Sequence, residues 1–177
     1  MKNDSSKVRS ATLAALISNF IFGLSFMASR IALEHTTSAM MLTLRFGSSV
    51  LIMLVLAAVG IMKIHIKGKP LHRLLLLGLF HPVIYFIGET NGIKYTNSSF
   101  AGIMISLIPV ATALFSGIFL QERLSGKAYA WILCSVAGVI VISLSQAGGG
   151  AVLPVGILYL CLAIFTGALF YVFSRSI

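Results

Sequence analysis

Between residues 128 and 174 the chain contains no Asp, Glu, Lys or Arg. A globular domain in water usually has about 25% charged residues, whereas this chain has 10% charged and 58% hydrophobic residues. A helix that crosses the hydrocarbon core of a bilayer needs about 20 mostly apolar residues. The uncharged stretch is long enough for two such helices, so we expect an integral membrane protein whose solvent is partly lipid.

Six apolar segments follow one another along the chain, with short polar loops between them. Gln146, a run of three glycines and Pro154 divide the uncharged stretch into the last two segments. No segment shows the alternating period of an outer-membrane β-strand. The predicted fold class is therefore all-α, a polytopic bundle of six transmembrane helices at residues 12–32, 39–62, 73–95, 98–120, 128–145 and 155–174.

The basic residues between these segments predict the orientation of the chain. If the N-terminus lies inside, the outer ends hold only Arg30 and Lys94, and Arg45 lies within the second helix. An excess of Lys and Arg in cytoplasmic loops is the main topology signal in membrane proteins. We therefore expect a multi-pass plasma-membrane protein with a cytoplasmic N-terminus, and we attribute the net charge of +9 to topology, not to nucleic-acid binding. The inside residues are Lys2, Lys7, Arg9, Lys63, Lys67, Lys69, Arg73, Arg123, Lys127 and Arg175.

A short repeat relates the first helix to the sixth. Residues 23–30 (GLSFMASR) and 168–175 (ALFYVFSR) both fit small-Leu-x-aromatic-x-x-Ser-Arg. In the predicted topology the first copy ends outside and the second inside, as in the inverted repeats of many secondary transporters. We expect residues 1–147 to form one five-helix repeat. Residues 148–177 would then be a loop and the first helix of a second repeat, about four helices short of completion.

Several motifs resemble the EamA-type family of the drug/metabolite transporter superfamily. They are Leu44-Arg45-Phe46, the turn at residues 92–97 (GIKYTN), Pro109, the helix end at residues 121–124 (QERL) and Ala137-Gly138-Val139. The resemblance implies ten helices in two inverted five-helix repeats with both termini inside. It also implies secondary transport, often export, of metabolites, amino acids or drugs, and a chain truncated after its sixth helix.

Ionisable residues within membrane helices are costly and mark candidate functional sites, and two of them stand out here. Arg45 and Glu89 each lie about six residues from the outer end of a helix, roughly 9 Å deep. Equal depth on consecutive antiparallel helices predicts an Arg45–Glu89 ion pair. The pair would either handle substrate or protons, or be purely structural.

Three further residues complete the candidate substrate or coupling site. His81 and Tyr85 precede Glu89 at spacings of eight and four residues, so the three share one helix face. Asn19 lies near the middle of the first helix, as a substrate contact or as a hydrogen-bonding link between helices. Pro82 and Pro109 should kink the third and fourth helices, either to shape the site or as static packing features.

The leading hypothesis is a secondary transporter with its site between the first, third and fourth helices. Proton coupling through Glu89 or His81 is a hypothesis, and no cofactor, no metal and no catalytic residues are expected. The expected partners are membrane lipid, a small-molecule substrate, and a second copy or a second half of the transporter. The alternative is a non-transporting membrane subunit or an inactive half-transporter. A membrane enzyme is disfavoured because Glu89 and Glu122 lie at opposite ends of their helices.

Overall fold

The computed structural model describes residues 2–61, 71–121, 125–146 and 152–175. These residues form six helices and no β-strand, which confirms the predicted all-α polytopic bundle. The third helix consists of three consecutive segments and the fourth of two. In chain order the helices are α1 (Lys2–His35), α2 (Ser38–Ala58), α3 (Leu71–Gly78, Leu79–Ile84 and Tyr85–Tyr95), α4 (Ser98–Ile105 and Ile108–Phe119), α5 (Gly126–Gln146) and α6 (Pro154–Ser174).

Five of the six helices are long and apolar enough to cross a membrane. They are α1, α2, α3, α4 and α6. α5 also has 21 residues, but its apolar part among the described residues, Gly126–Val141, is shorter. The loop that begins the predicted second repeat, residues 148–150, lies outside the described residues, as do Glu122, Arg123 and Leu124 of the predicted helix-end motif.

Two of the tight turns between helices end in side-chain caps. The Thr37 hydroxyl accepts a hydrogen bond from the Met40 amide at 3.3 Å at the start of α2. The Asn97 carboxamide oxygen accepts one from the Phe100 amide at 2.8 Å at the start of α4. Thr and Asn are favoured here because their side chains satisfy an amide that has no partner within the helix. The two caps fix the residues at which α2 and α4 begin.

The predicted kink in α3 lies at His81, the residue before Pro82. His81 has φ −143° and ψ 110°, outside the helical region. A proline disfavours the α conformation in the residue that precedes it, so this backbone follows directly from the His-Pro sequence. The break lies within the π-helical segment Leu79–Ile84. The break orients the His81 ring independently of the helix on either side.

The predicted kink in α4 lies just before Pro109, at Ser106 and Leu107. The Leu107 amide donates to the Met104 carbonyl at 3.0 Å, a tightened turn that ends the first segment. Pro109 then falls in the first turn of the second segment, where its missing amide costs no hydrogen bond. The regular helix is thus interrupted near both prolines, at His81 in α3 and at Ser106 and Leu107 in α4.

The sixth helix packs against α3 and α4 through small residues. A Cβ on Gly88 would lie 2.7 Å from the Tyr159 carbonyl oxygen and 2.9 Å from the Ala163 nitrogen. A Cβ on Gly92 would overlap the Leu160 side chain. Gly88 and Gly92 form a Gly-x-x-x-Gly pair, which allows two membrane helices to approach backbone to backbone. Eight residues of α6 are buried: Gly156, Leu160, Ala163, Thr166, Gly167, Ala168, Leu169 and Val172.

Arg30 stabilises the end of α3 from α1. Its Nη1 donates to the carbonyls of Ile93 at 3.0 Å, Lys94 at 3.1 Å and Thr96 at 3.3 Å. The last carbonyls of a helix have no partner within it, and a cation there also interacts favourably with the helix dipole. Arg30 therefore fastens α1 to the end of α3.

Removing the Arg30 charge is expected to destabilise the fold. Arg30→Met keeps the length of the side chain but leaves three carbonyls without their donor. We expect a loss of about 2 kcal/mol, the range of hydrogen bonds to charged groups. Unfolding by SDS in mixed micelles measures it, with exposed Arg9→Met as the matched control. A loss no larger than that of the control would contradict the capping role.

Candidate substrate site at a buried ion pair

Arg45 of α2 and Glu89 of α3 form the ion pair that equal depth predicted. Arg45 Nη1 lies 3.3 Å from Glu89 Oε1. The Glu89 side chain is 1% exposed, whereas the Arg45 side chain is 27% exposed. The pair is therefore asymmetric, with a carboxylate enclosed by protein and a guanidinium that keeps an open side.

Aromatic rings hold the Arg45 guanidinium in place. Its central carbon lies 4.1 Å from the centroid of the Phe86 ring, and Phe46 packs edge-on against Phe86 at 5.7 Å. Guanidinium groups bind aromatic faces through cation–π attraction, which strengthens as water is excluded. Neither Phe46 nor Phe86 was predicted as a site residue. The available signal was that Phe46 directly follows Arg45 and that Phe86 precedes Glu89 by three residues.

The second carboxylate oxygen of Glu89 has no hydrogen-bond partner among the described residues. Glu89 Oε2 is fully buried, and so is the neighbouring unpaired hydroxyl oxygen of Thr90. The Tyr85 side chain, one turn earlier on α3, interacts electrostatically with the Glu89 carboxylate. A buried polar atom without a partner costs free energy, so this oxygen marks a place where a proton or a rearrangement would be favourable.

His81 lies between two aromatic rings. Its ring stacks on Tyr85 with centroids 4.5 Å apart and on Phe170 of α6 with centroids 4.7 Å apart, both at 27° between planes. Tyr171 lies 6.4 Å from it. The predicted face of His81, Tyr85 and Glu89 therefore contacts α6. Phe170 and Tyr171 were missed as site residues, although they lie within the repeated segment 168–175.

The site predicted between α1, α3 and α4 differs from the observed cluster, which joins α2, α3 and α6. Asn19 is exposed, and its amide donates to the Ala15 carbonyl of its own helix at 2.9 Å. The structure shows no hydrogen bond from Asn19 to Arg45 or Glu89 among the described residues. Pro82 adjoins the cluster through His81, whereas Pro109 lies on α4. The roles of all these residues in binding or coupling remain predictions.

Comparison with known proteins shows the family to which the sequence belongs. Residues 9–144 match the EamA-like transporter family. The chain belongs to the EamA-like transporter family. The matched region includes Asn19, Arg45 and Glu89, while Phe170 and Tyr171 of α6 lie beyond it. The resemblance inferred from the motifs is thereby confirmed.

Two relatives of this EamA-like chain are named as transporters. The uncharacterized transporter YcxC of Bacillus subtilis (strain 168) is 34% identical over 132 residues, 75% of this chain and 42% of the relative. An uncharacterized transporter of Archaeoglobus fulgidus (strain ATCC 49558 / DSM 4304 / JCM 9628 / NBRC 100126 / VC-16) is 30% identical over 122 residues, 69% of this chain and 43% of the relative. The alignments thus cover less than half the length of either relative. No solved structure matches the chain significantly.

Proposed function

We propose that this EamA-like protein is a secondary transporter of small metabolites, amino acids or drugs. It would act at the plasma membrane with its N-terminus in the cytoplasm, as an importer or as an exporter. Support comes from the family and from the names of the two relatives. The positive charges at the predicted inner ends of the helices support the orientation.

The observation that carries this proposal is the Arg45–Glu89 pair. Ionisable residues inside membrane bundles mark substrate paths and proton relays. Glu89 is enclosed, its Oε1 lies 3.3 Å from Arg45 Nη1, the Tyr85 side chain also interacts with its carboxylate, and its Oε2 has no hydrogen-bond partner among the described residues. A pair that served stability alone would satisfy both carboxylate oxygens. The geometry therefore suits a carboxyl group that gains and loses a proton during the transport cycle.

Proton coupling through Glu89 involves the groups around it. Arg45 approaches it from α2 and Tyr85 interacts with it from one turn earlier on α3. His81 and Tyr171 lie beyond Tyr85, on α3 and α6. Protonation of Glu89 would weaken the attraction to Arg45 and release the guanidinium. This release couples proton binding to the site that faces the substrate.

The coupling is tested by transport at different pH values. The protein is reconstituted into liposomes, and uptake of a panel of amino acids, carboxylic acids and cationic dyes is measured from about pH 5.5 to 8. We expect the rate of a transported compound to change by up to about tenfold per pH unit, and the rate of Glu89→Gln to be independent of pH. Lys94→Gln, which removes an exposed charge on α3, serves as the control. A wild-type rate that does not change with pH would rule out coupling through Glu89.

The alternative function is a non-transporting subunit or an inactive half-transporter. The chain aligns with only 42–43% of its relatives, and the open side of Arg45 has room for a further partner. We propose that a second copy or a second half completes the transport path. Inserted, folded protein that moves none of the panel compounds would favour the alternative.

A further inference from the structure

We propose that the open side of Arg45 binds the carboxylate of a small aromatic carboxylic acid, and that the Glu89 carboxylate pairs with the Arg45 guanidinium when this ligand is absent. The inference rests on the proposed transport function, because it assigns a substrate class to the same site. The exchange of one carboxylate for another would be the binding step. No covalent change is involved.

Arg45 has donors available for a ligand. A guanidinium carries five N–H groups, and among the described residues the Arg45 side chain makes one hydrogen bond, to Glu89 Oε1. At 3.3 Å this contact is longer than the about 2.7–2.9 Å of strong charge-assisted bonds. It is also monodentate, whereas a carboxylate and a guanidinium can pair through two parallel bonds. A ligand carboxylate can therefore make a better pair with Arg45 than Glu89 does.

The exposed part of Arg45 must face a polar space. Arg45 lies seven residues into α2 from Ser38, about 10 Å along the helix axis. A guanidinium at such a depth faces the bundle interior or a water-filled cavity, since contact with lipid tails is too costly. The 27% of the side chain that remains exposed is thus a place that a polar ligand group can reach.

The surroundings of Arg45 favour a ligand with an aromatic ring. Phe86 lies against the guanidinium, Phe46 packs edge-on against Phe86, and both residues are partly exposed. His81 lies 5.7 Å from Phe86 and extends the aromatic wall. Aromatic groups prefer offset or edge-to-face contacts with one another. A ring attached to the carboxylate would therefore bury its faces beside Arg45.

Glu89 acts in this scheme as an internal competitor. Its carboxylate approaches Arg45 from the buried side, and its Oε2 has no hydrogen bond to Arg45. Glu89→Gln replaces the charge with an amide of the same shape, which competes poorly for a guanidinium. The variant should therefore bind an external carboxylate more tightly than the wild type. A structural salt bridge alone would not produce this gain.

Equilibrium binding of radiolabelled benzoate to the full chain in nanodiscs of neutral lipid tests the proposal. We expect Glu89→Gln to bind benzoate about tenfold more tightly than wild type and Arg45→Lys about tenfold less tightly. Arg45→Lys keeps the charge that pairs with Glu89, so loss of folding should not obscure the result. Lys94→Gln, which removes a distant exposed charge, should bind like wild type. Benzylamine, with the same ring and the opposite charge, should not compete.

Three results would overturn this inference: benzoate binding that is no tighter in Glu89→Gln, equal competition by benzylamine, or benzoate binding by Arg45→Lys that equals that of the wild type. The measurement needs no gradient and no flux. If Glu89→Gln gains affinity while the liposomes show no transport, the carboxylate site stands and the transport proposal fails. If transport occurs but Arg45→Lys binds benzoate like wild type, the transport proposal stands and the carboxylate site fails.

Discussion

Replacing Arg45 by alanine is expected to destabilise the protein by about 3–5 kcal/mol, the cost of removing one partner of a buried ion pair. The Glu89 side chain is 1% exposed, and its carboxylate pairs with Arg45 at 3.3 Å. Without Arg45 the Glu89 charge stays in a medium of low dielectric constant, where an unpaired charge is very unfavourable. Unfolding by SDS in mixed micelles gives the change in free energy.

A double variant separates the unpaired charge from lost packing. Arg45→Ala combined with Glu89→Gln removes both charges, so most of the lost stability should return. The packing of the guanidinium on Phe86, at 4.1 Å, is lost in both variants and accounts for the remainder. Lys94→Ala should change stability by less than about 0.5 kcal/mol, as expected for an exposed residue. A loss below about 1 kcal/mol in Arg45→Ala would mean that the ion pair contributes no more to stability than an exposed pair does.

The second large effect is expected at Gly88, where α3 and α6 meet. Gly88→Leu should destabilise the protein by about 3 kcal/mol, at the upper end of overpacking costs. Its Cβ would lie 2.7 Å and 2.9 Å from backbone atoms of Tyr159 and Ala163, which cannot rotate away. α6 must therefore move, and the stacking of Phe170 on His81 should be disturbed with it.

Gly78→Leu is the matched control for Gly88→Leu, because it lies in the same helix with nothing within 4 Å of an added Cβ. It should be neutral or slightly stabilising, since leucine is a better helix former than glycine by up to about 1 kcal/mol. SDS unfolding compares the two variants directly. Equal stability of Gly88→Leu and Gly78→Leu would show that α3 and α6 do not pack closely in the membrane.

Sequence patterns predicted the features that depend on position along one helix. Counting residues from the outer helix ends placed Arg45 and Glu89 at the same depth, and the structure brings them together. The fourfold spacing placed Tyr85 and Glu89 on one face. Pro82 predicted a kink in α3, and the structure has the break at the preceding residue, His81. In each case local geometry and the bilayer thickness determine the answer, so a single sequence contains the necessary information.

Features that depend on which helices are neighbours were not predicted. Gly88 and Gly92 contact α6, and Arg30 reaches the end of α3, because of a tertiary arrangement that helical periodicity does not specify. Asn19 illustrates the same limit. Its depth resembled that of a site residue, but a polar side chain in a helix can bond to its own backbone, as Asn19 does to Ala15. Membrane depth alone therefore identifies candidate site residues, but it does not show which helices pack against each other.

The central claim is that the Arg45–Glu89 pair is the polar centre of the transport site, with Arg45 facing the substrate. The most direct measurement is transport by the charge-swapped protein, Arg45→Glu with Glu89→Arg, reconstituted beside both single variants. We predict that both single variants fail to fold and that the swap restores folded, inserted protein, which then fails to transport because its open side carries a carboxylate. A swapped protein that transports at the wild-type rate would contradict the claim, since the pair would then be purely structural, and one that folds no better than the single variants would contradict the pairing.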